Sequence, residues 1–406
     1  MIKKVKTTDL KLGMYIHDLN VPWLEHGFVA KNFLLRNERQ IEKIFHENII
    51  EVLIDTDKGL DAIHAPTLEE SESVLLDKMI DAVSEPSNES LASDIKLQWA
   101  ESKKIHAEAV MITSDILNDV RLGQQVDIIQ ATPIVAHIAD AVLDNDSTLL
   151  SLCRIKKRDT YTFQHSVSVS ALLITFCHSF GGYSHDQLIQ IGLGGLFHDV
   201  GKMRIPDAVL NKPGRLTEDE FRIMKSHVAE GLDYLRTAPG LSDSSLKIAA
   251  EHHEKYDGSG YPRGLSRDSI SQFGQMASIV DVYDAITSTR VYHTGIEPAS
   301  ALKRMFEWSG RHFNETLVQK FIKAIGIYPV GSLVRLESGR LAIVLRQGQK
   351  NMLQPFVRVV YNAERGHRLP IHDLNLAAPD CQDHIVGYEL PASWGIDPNK
   401  IIGKGL

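Results

Sequence analysis

The spacing of hydrophobic and polar positions changes character several times along the chain. Before about residue 60, short apolar runs are separated by polar breaks. Met14-Tyr15-Ile16-His17, Gly27-Phe28-Val29-Ala30 and the run from Ile49 to Ile54 predict strands. Between Asn37 and Glu47, Ile41, Ile44 and Phe45 fall at helical spacing. Residues 1–60 thus read as a small mixed α/β domain. Residues 61–95 carry Glu69, Glu70, Glu72, Asp77, Asp81, Glu85, Glu89 and Asp94, with Pro66 and Pro86. That texture predicts an acidic connector, part helix and part loop, with too little apolar surface to fold alone. Helical periodicity returns from Leu97 to Leu150. There Val110, Ile112, Ile116 and Leu117 form a stripe that suits either a dimer-forming stalk or a plain core helix.

From Ser151 to about Gly326 the pattern is helix after helix. The breakers are Gly181-Gly182, Pro206, Pro213-Gly214, Pro239-Gly240 and the stretch Gly258 to Gly264. Strand patterns are scarce, so residues 151–329 predict an all-α domain. After Pro329, Ser332 to Leu345 and Pro355 to Asn362 are rich in Val, Leu and Ile, with turns at Ser338-Gly339 and Gly348. Residues 330–406 therefore predict a small β-rich appendage. The expected fold class is multidomain α+β: a helical domain flanked by a small mixed domain and a small β appendage, with 61–150 as connector and helical stalk.

Composition narrows the function. The chain has 406 residues, 43% hydrophobic and 24% charged, with a net charge of -8. An acidic balance argues against a polymeric nucleic acid as partner, because such binders carry a basic stripe. Cys153, Cys177 and Cys381 give no disulfide framework and suit a reducing compartment. The first residues are basic but have no apolar run behind them, and no segment approaches the roughly 20 apolar residues of a membrane span. The expectation is a cytoplasmic protein without membrane insertion.

The chemistry gathers in the helical domain. His198-Asp199 ends the apolar, small-residue run Ile191-Gly192-Leu193-Gly194-Gly195-Leu196-Phe197. A polar pair there is costly to bury unless it is paired or ligated. His252-His253 stand together, ~100° apart if helical, so one helix could offer two imidazoles. With His165, His227 and Asp281 they form a scattered His/Asp set that suits a pair of metal ions and a phosphoester. Imidazole and carboxylate donors favour Zn, Fe, Mn or Ni over Ca or Mg alone. The set contains no Cys, against a structural zinc finger. Lys202, three positions after Asp199, reads either as a solvated residue or as a phosphate clamp.

These motifs resemble the HD-GYP family of the HD phosphohydrolase superfamily. The matching pieces are Tyr161-Thr162-Phe163-Gln164-His165-Ser166-Val167, Leu196-Phe197-His198-Asp199-Val200-Gly201-Lys202, and His227. They continue through His252-His253-Glu254-Lys255-Tyr256-Asp257-Gly258-Ser259-Gly260-Tyr261-Pro262 and Asp281-Val282-Tyr283-Asp284-Ala285. They occur in family order across roughly residues 150 to 330. Residues 1–60 resemble, less specifically, an accessory domain of unknown function often found before this catalytic domain.

The resemblance implies an HD-type all-α phosphodiesterase that opens cyclic dinucleotides at a two- or three-metal centre. The implied ligands are His165, His198, Asp199, His227, His252, His253 and Asp281, with Asp199 bridging the ions. Three-metal members have a Glu one turn before the first His. Tyr161 holds that place here, so two divalent ions are expected, iron first and manganese or nickel as alternatives. Asp199 and Lys202 are the expected catalytic residues. Lys202 and Arg290 would neutralise the phosphate, with Gly260, Tyr261 and Pro262 as a loop beside the substrate. A second basic residue often follows that arginine in the family; His293 stands there instead. The substrate is cyclic di-GMP or cyclic GMP–AMP. Two rival functions are a non-catalytic cyclic-dinucleotide sensor and a nucleotidase. A homodimer, and signalling partners on the GYP loop or the amino-terminal domain, are compatible with the resemblance.

Overall fold

The computed structural model describes the chain except residues 22–27, 29–31, 48, 84–94, 145–146, 154–159, 213, 215, 289–294, 349–350 and 403–406. It divides into two compact units, Met1–Ala82 and Val83–Leu406.

In the first unit, β1 (Ile2–Lys6), β2 (Tyr15–Asp18), β3 (Phe33–Leu34) and β4 (Glu51–Asp55) form an antiparallel sheet in the order β1-β4-β2-β3. Helix α1 (Glu38–His46) starts at Asn37, whose side chain accepts from Gln40 N in a capping box. Val5, Met14, Ile16, Ile44, Val52 and Ile54 share one core. The predicted strand at Gly27 to Ala30 falls mostly outside the described residues, while the strand observed nearby is Phe33–Leu34. Strand β1 was not expected, because IKKVK reads as a basic stretch. Its inward positions are Lys3 and Val5, and Lys3 is accommodated by an ion pair with Asp61 at 2.9 Å. Residues 61–82, read as connector, lie within this unit. Ala62 and Ala65 pack on its core, and α2 (Leu68–Val83) follows with Met79 buried.

The second unit is mainly helical. It runs through α3 (Ile95–Arg121), α4 (Ile128–Leu143), α5 (Ser147–Cys153), α6 (Tyr161–Phe180) and α7 (His185–Phe197). A 3-10 turn, Val200–Arg204, follows, then α8 (Asp207–Leu210), α9 (Glu218–Lys225), α10 (His227–Thr237) and α11 (Asp243–Glu251). The helical series ends with α12 (Gln272–Thr287), α13 (Pro298–Glu307) and α14 (Glu315–Ile325). Helix α6 is buried on nearly every side, as expected of a central helix. Helix α3 packs on α4, α5 and α6 and is a core helix of this unit. Its buried face runs Ile105, Ala109, Thr113, Ile116 and Val120; Val110 and Ile112 are only half-buried.

The glycines of α7 explain how the centre is assembled. A Cβ on Gly192 would lie 2.6 Å from side-chain atoms of Ile174 and Val135. One on Gly194 would lie 2.8 Å from Ser245 Cα, and one on Gly195 3.0 Å from Ser170 Cα. Three neighbouring helices, α4, α6 and α11, therefore reach the α7 backbone closely, converging toward its carboxyl end. That end is His198-Asp199.

Beyond Pro329, β5 (Leu333–Leu336), β6 (Arg340–Arg346), β7 (Phe356–Asn362), β8 (His367–Asn375) and β9 (Ile385–Glu389) form an antiparallel sheet in the order β8-β7-β6-β5-β9. The core strands were legible. The edge strands β8 and β9 were not: β8 is polar, half-buried at best, and carries Pro370, which an edge tolerates. The chain closes with α15 (Pro398–Ile402), and Trp99 of α3 shares a core with Leu333, Leu341 and Ile343 of the sheet.

Candidate metal centre

Five elements bring the predicted donors together. His165 comes from α6, His198 and Asp199 from the end of α7, and His227 from the start of α10. His252 and His253 follow α11, and Asp281 lies on α12. The pair His252-His253 is not helical as expected. Helix α11 stops at Glu251, and Glu254 N bonds back to Glu251 O at 2.9 Å, so both imidazoles stand in the turn that follows. Their ring centroids are still only 4.1 Å apart.

The helix ends also fix which ring nitrogen faces inward. The last carbonyls of a helix lack intrahelical donors. Nδ1 of His198 donates to Gly195 O at 2.7 Å, that of His227 to Met224 O at 2.7 Å, and that of His252 to Ala249 O at 2.9 Å. In the neutral ring, with its proton on Nδ1, the lone pair is on Nε2. His165 sits inside α6, where the carbonyl three residues back already serves the helix. Its Nδ1 instead pairs with Asp284 Oδ2 at 2.6 Å.

All four Nε2 atoms point at two carboxylates. His165 Nε2 lies 3.0 Å from Asp281 Oδ1 and 3.5 Å from Asp199 Oδ2. His198 Nε2 lies 3.2 Å from Asp199 Oδ2 and His227 Nε2 3.2 Å from Asp199 Oδ1. His252 Nε2 is 3.7 Å from Asp199 Oδ1, and His253 turns Nδ1 toward Asp281 Oδ2 at 3.8 Å.

Nε2 of His198, His227 and His252, and Oδ1 of Asp199, are buried without a hydrogen-bond partner. Four such atoms in one cluster are costly, at about 1–3 kcal/mol each, unless something else satisfies them. They fit divalent cations. His165, His198 and Asp199 form one group whose ligand atoms lie within 4.8 Å of one another; Asp199, His227, His252 and His253 form a second. Asp199 belongs to both.

Burial alone would raise the Asp199 carboxyl, but Lys202, His198 and His165 hold it well below the usual range. Asp281 is likewise held low against burial by His165 and His198. His198 is pushed up to about 10, the Asp199 and Asp281 carboxylates outweighing burial. His165 is also raised, since Asp199, Asp281 and Asp284 overcome its burial. His252 falls to about 4 through burial, which its contact with Asp199 does not offset. His253 is lowered well below its ordinary value by burial and by His252.

Lys202 stands in the 3-10 turn, where residues three apart eclipse. Its Nζ donates to Asp199 Oδ2 at 2.5 Å while the side chain stays 23% exposed. The ammonium thus lies between a buried carboxylate and solvent. Gly201 has no room for a side chain: a Cβ would lie 1.9 Å from His227 O.

The Gly260-Tyr261-Pro262 loop folds back over the centre. Tyr261 N donates to His253 O at 3.1 Å, the Tyr261 ring lies 4.7 Å from the His253 ring, and the Tyr261-Pro262 peptide is cis. A Cβ on Gly260 would meet Lys255 N at 2.3 Å. Two carboxylates outside the expected set organise this loop. Buried Glu254 accepts from Arg263 N at 2.8 Å and Leu265 N at 2.9 Å. Buried Glu251 accepts from Arg263 Nη2 at 2.7 Å and Ser271 N at 2.8 Å. Tyr161 is stacked parallel to His165, with centroids 6.0 Å apart. Arg290 and His293 lie outside the described residues.

Sequence reasoning missed Asp284, Glu254 and Glu251 as site residues. Asp284 had a signal, since it lies three positions after Asp281 on the same helical face. The glutamates had none beyond their place beside the paired histidines. No described helix is long and apolar enough to cross a membrane.

Residues 153–317 match the family model described as HD domain, and residues 2–131 match a domain of unknown function, DUF3391. The chain is 38% identical over 396 residues to cyclic di-GMP phosphodiesterase PA4108 of Pseudomonas aeruginosa, covering 97% of this chain and 94% of that one. It is 35% identical over 170 residues to 3'3'-cGAMP-specific phosphodiesterase 2 of Vibrio cholerae, covering 42% of this chain and 32% of the relative. It is 35% identical over 167 residues to a cyclic di-GMP phosphodiesterase of Thermotoga maritima, covering 41% of this chain and 45% of the relative. With the ordered His/Asp motifs and near full-length similarity on both sides, the chain belongs to the HD-GYP family of HD-domain proteins, with a DUF3391 domain preceding the HD domain.

Proposed function

We propose that the chain is a metal-dependent phosphodiesterase that hydrolyses a 3',5'-cyclic dinucleotide, cyclic di-GMP or 3'3'-cyclic GMP–AMP, to the linear dinucleotide. One observation carries this reading. Three imidazoles from three different elements turn unpartnered Nε2 atoms onto a carboxylate whose own Oδ1 is unpartnered. A folded core retains such a set where a cation completes it.

His165, His198, Asp199, His227, His252, His253 and Asp281 would hold two divalent ions, with Asp199 shared between them; iron is the first choice, and manganese or nickel the alternative. When bound, such a pair supplies Lewis-acid charge to phosphoester oxygens and acidifies water. Tyr161 offers no carboxylate for a third ion. The chain's own residues do the remainder. Lys202, tied to Asp199 and partly open to solvent, presents a positive charge to phosphate oxygens as negative charge builds on them. Arg290 would add a second. Gly260, Tyr261 and Pro262 would border the substrate on the His253 side, where Gly260 lets backbone come close. A cytoplasmic location fits a second-messenger substrate. A homodimer, and signalling partners on the loop or the amino-terminal domain, fit this role as well.

Parallel turnover assays with cyclic di-GMP and cyclic GMP–AMP, under reducing conditions with iron or manganese, test the proposal. Cleavage of either ring to a linear dinucleotide is expected, and the ratio of kcat/KM names the preferred substrate. Tight binding of both without cleavage would instead mark a sensor.

A further inference from the structure

Three of the four histidines that present Nε2 are oriented by main-chain carbonyls, which no side-chain substitution removes. His165 is different. Its Nδ1 depends on a side chain, Asp284 of α12, at 2.6 Å. Asp284 is 4% exposed and lies on the far side of the imidazole from the cluster, so it is not itself a donor to the centre. One turn earlier on α12, Asp281 approaches the other nitrogen of the same ring at 3.0 Å. Tyr161 stacks on the ring. His165 is therefore gripped on both nitrogens by one helix.

We propose that Asp284 is a positioning residue that fixes His165 for the ion shared with His198 and Asp199, making that imidazole depend on a carboxylate where His227 and His252 of the other position depend on backbone carbonyls. The proposal rests on the two-ion reading. A carboxylate behind a ligating imidazole fixes its tautomer and raises the basicity of the ligating nitrogen. A carbonyl supplies the orientation without the charge. The two ion positions are thus unequal by construction: Asp284 strengthens the His165/His198 position, and no charged group plays that part behind His227 or His252, each of which donates Nδ1 to a carbonyl.

The test uses the full chain as wild type, Asp284→Asn, Asp284→Ala, His198→Ala and the double variants Asp284→Ala/His198→Ala and Asp284→Ala/His227→Ala. Each is loaded with Mn2+, desalted and assayed for bound manganese by mass spectrometry, with electron paramagnetic resonance to distinguish a coupled pair from an isolated ion. Asparagine keeps the shape and an acceptor oxygen, so thermal unfolding of that variant without metal controls for folding. The wild type is expected to keep two ions and a coupled signal. Asp284→Asn should bind one of the two about 10–100-fold more weakly, and Asp284→Ala should show one isolated ion. Adding His198→Ala to Asp284→Ala should remove no more manganese; adding His227→Ala should remove the remaining ion. Wild-type affinity for both ions in Asp284→Asn and Asp284→Ala would overturn the role of Asp284 alone. Loss of both ions from folded Asp284→Asn would overturn the claim that it serves one position. A wild type that binds no Mn2+ would overturn the two-ion reading and this inference together.

Discussion

At the scale of single residues, the centre is ordered by where its histidines stop helices. His198, His227 and His252 each use a carbonyl three residues back, and each thereby frees Nε2 for the cluster. The sequence disclosed the donors because imidazoles and carboxylates were paired in it. It did not disclose the tautomers, which depend on where each helix ends. The titration behaviour yields a signed prediction. Without metal, the surrounding carboxylates raise His165 and push His198 up to about 10, so that His198 carries a second proton, on Nε2, at neutral pH. A cation can bind Nε2 only after that proton leaves. Manganese binding should therefore release protons at neutral pH and tighten as pH rises. Calorimetry in two buffers of different ionisation enthalpy reads the proton count directly. Binding enthalpies independent of the buffer would show that those imidazoles carry no proton to lose.

At the scale of elements, the small residues of α7 and the following turn decide how closely helices meet. The run Gly192 to Gly195 was legible as small and apolar, yet which helix each glycine receives was not. That depends on contacts far apart in the chain: Ile174 and Val135, Ser245, and Ser170. Gly201 is the tightest case, since a Cβ would lie 1.9 Å from His227 O. Gly201→Ala must push the start of α10 away and carry His227 with it. Overpacking of this kind costs about 1–3 kcal/mol. The variant is expected to lose that stability in denaturant titration and to bind manganese less tightly as well. Unchanged metal affinity would mean that α10 does not depend on this contact. The loop after His253 shows the same limit of sequence reading. Its glycines were visible, but the buried anchors Glu251 and Glu254 became apparent only when their partners Arg263, Leu265 and Ser271 were placed.

At the scale of the whole molecule, the helical domain was the readable part, because long periodic segments and an ordered motif set reinforce each other. The flanks were harder. Strand β1 is disguised by three lysines, and β8 by its polar surface and Pro370. The acidic connector does carry the helix expected of it, α2, but its charge hid that this helix belongs to the first unit. In the second unit the carboxyl-terminal helix is held by one buried cation. Arg358 is 4% exposed, pairs bidentately with Asp373 at 2.6 and 2.9 Å, and donates to the carbonyls of Ile401 and Ile402. Arg358→Ala leaves the half-buried Asp373 carboxylate without its guanidinium partner and should cost about 1.5–3 kcal/mol, as for a lost hydrogen bond to a charged group. Thermal unfolding checks this, and a loss within 0.5 kcal/mol, roughly that of an ordinary surface change, would show the clamp to be dispensable.

The central claim is that the clustered histidines and aspartates act through bound cations on a cyclic dinucleotide. The most direct measurement is hydrolysis of cyclic di-GMP and cyclic GMP–AMP by one preparation in three states: as purified, stripped with chelator, and restored with Mn2+ or Fe2+, alongside Asp199→Asn. Stripping is expected to abolish linear-dinucleotide formation, and metal to restore it. Asp199→Asn is expected to stay inactive under every condition while remaining folded. Turnover that survives stripping, or that persists in Asp199→Asn, would contradict the central claim.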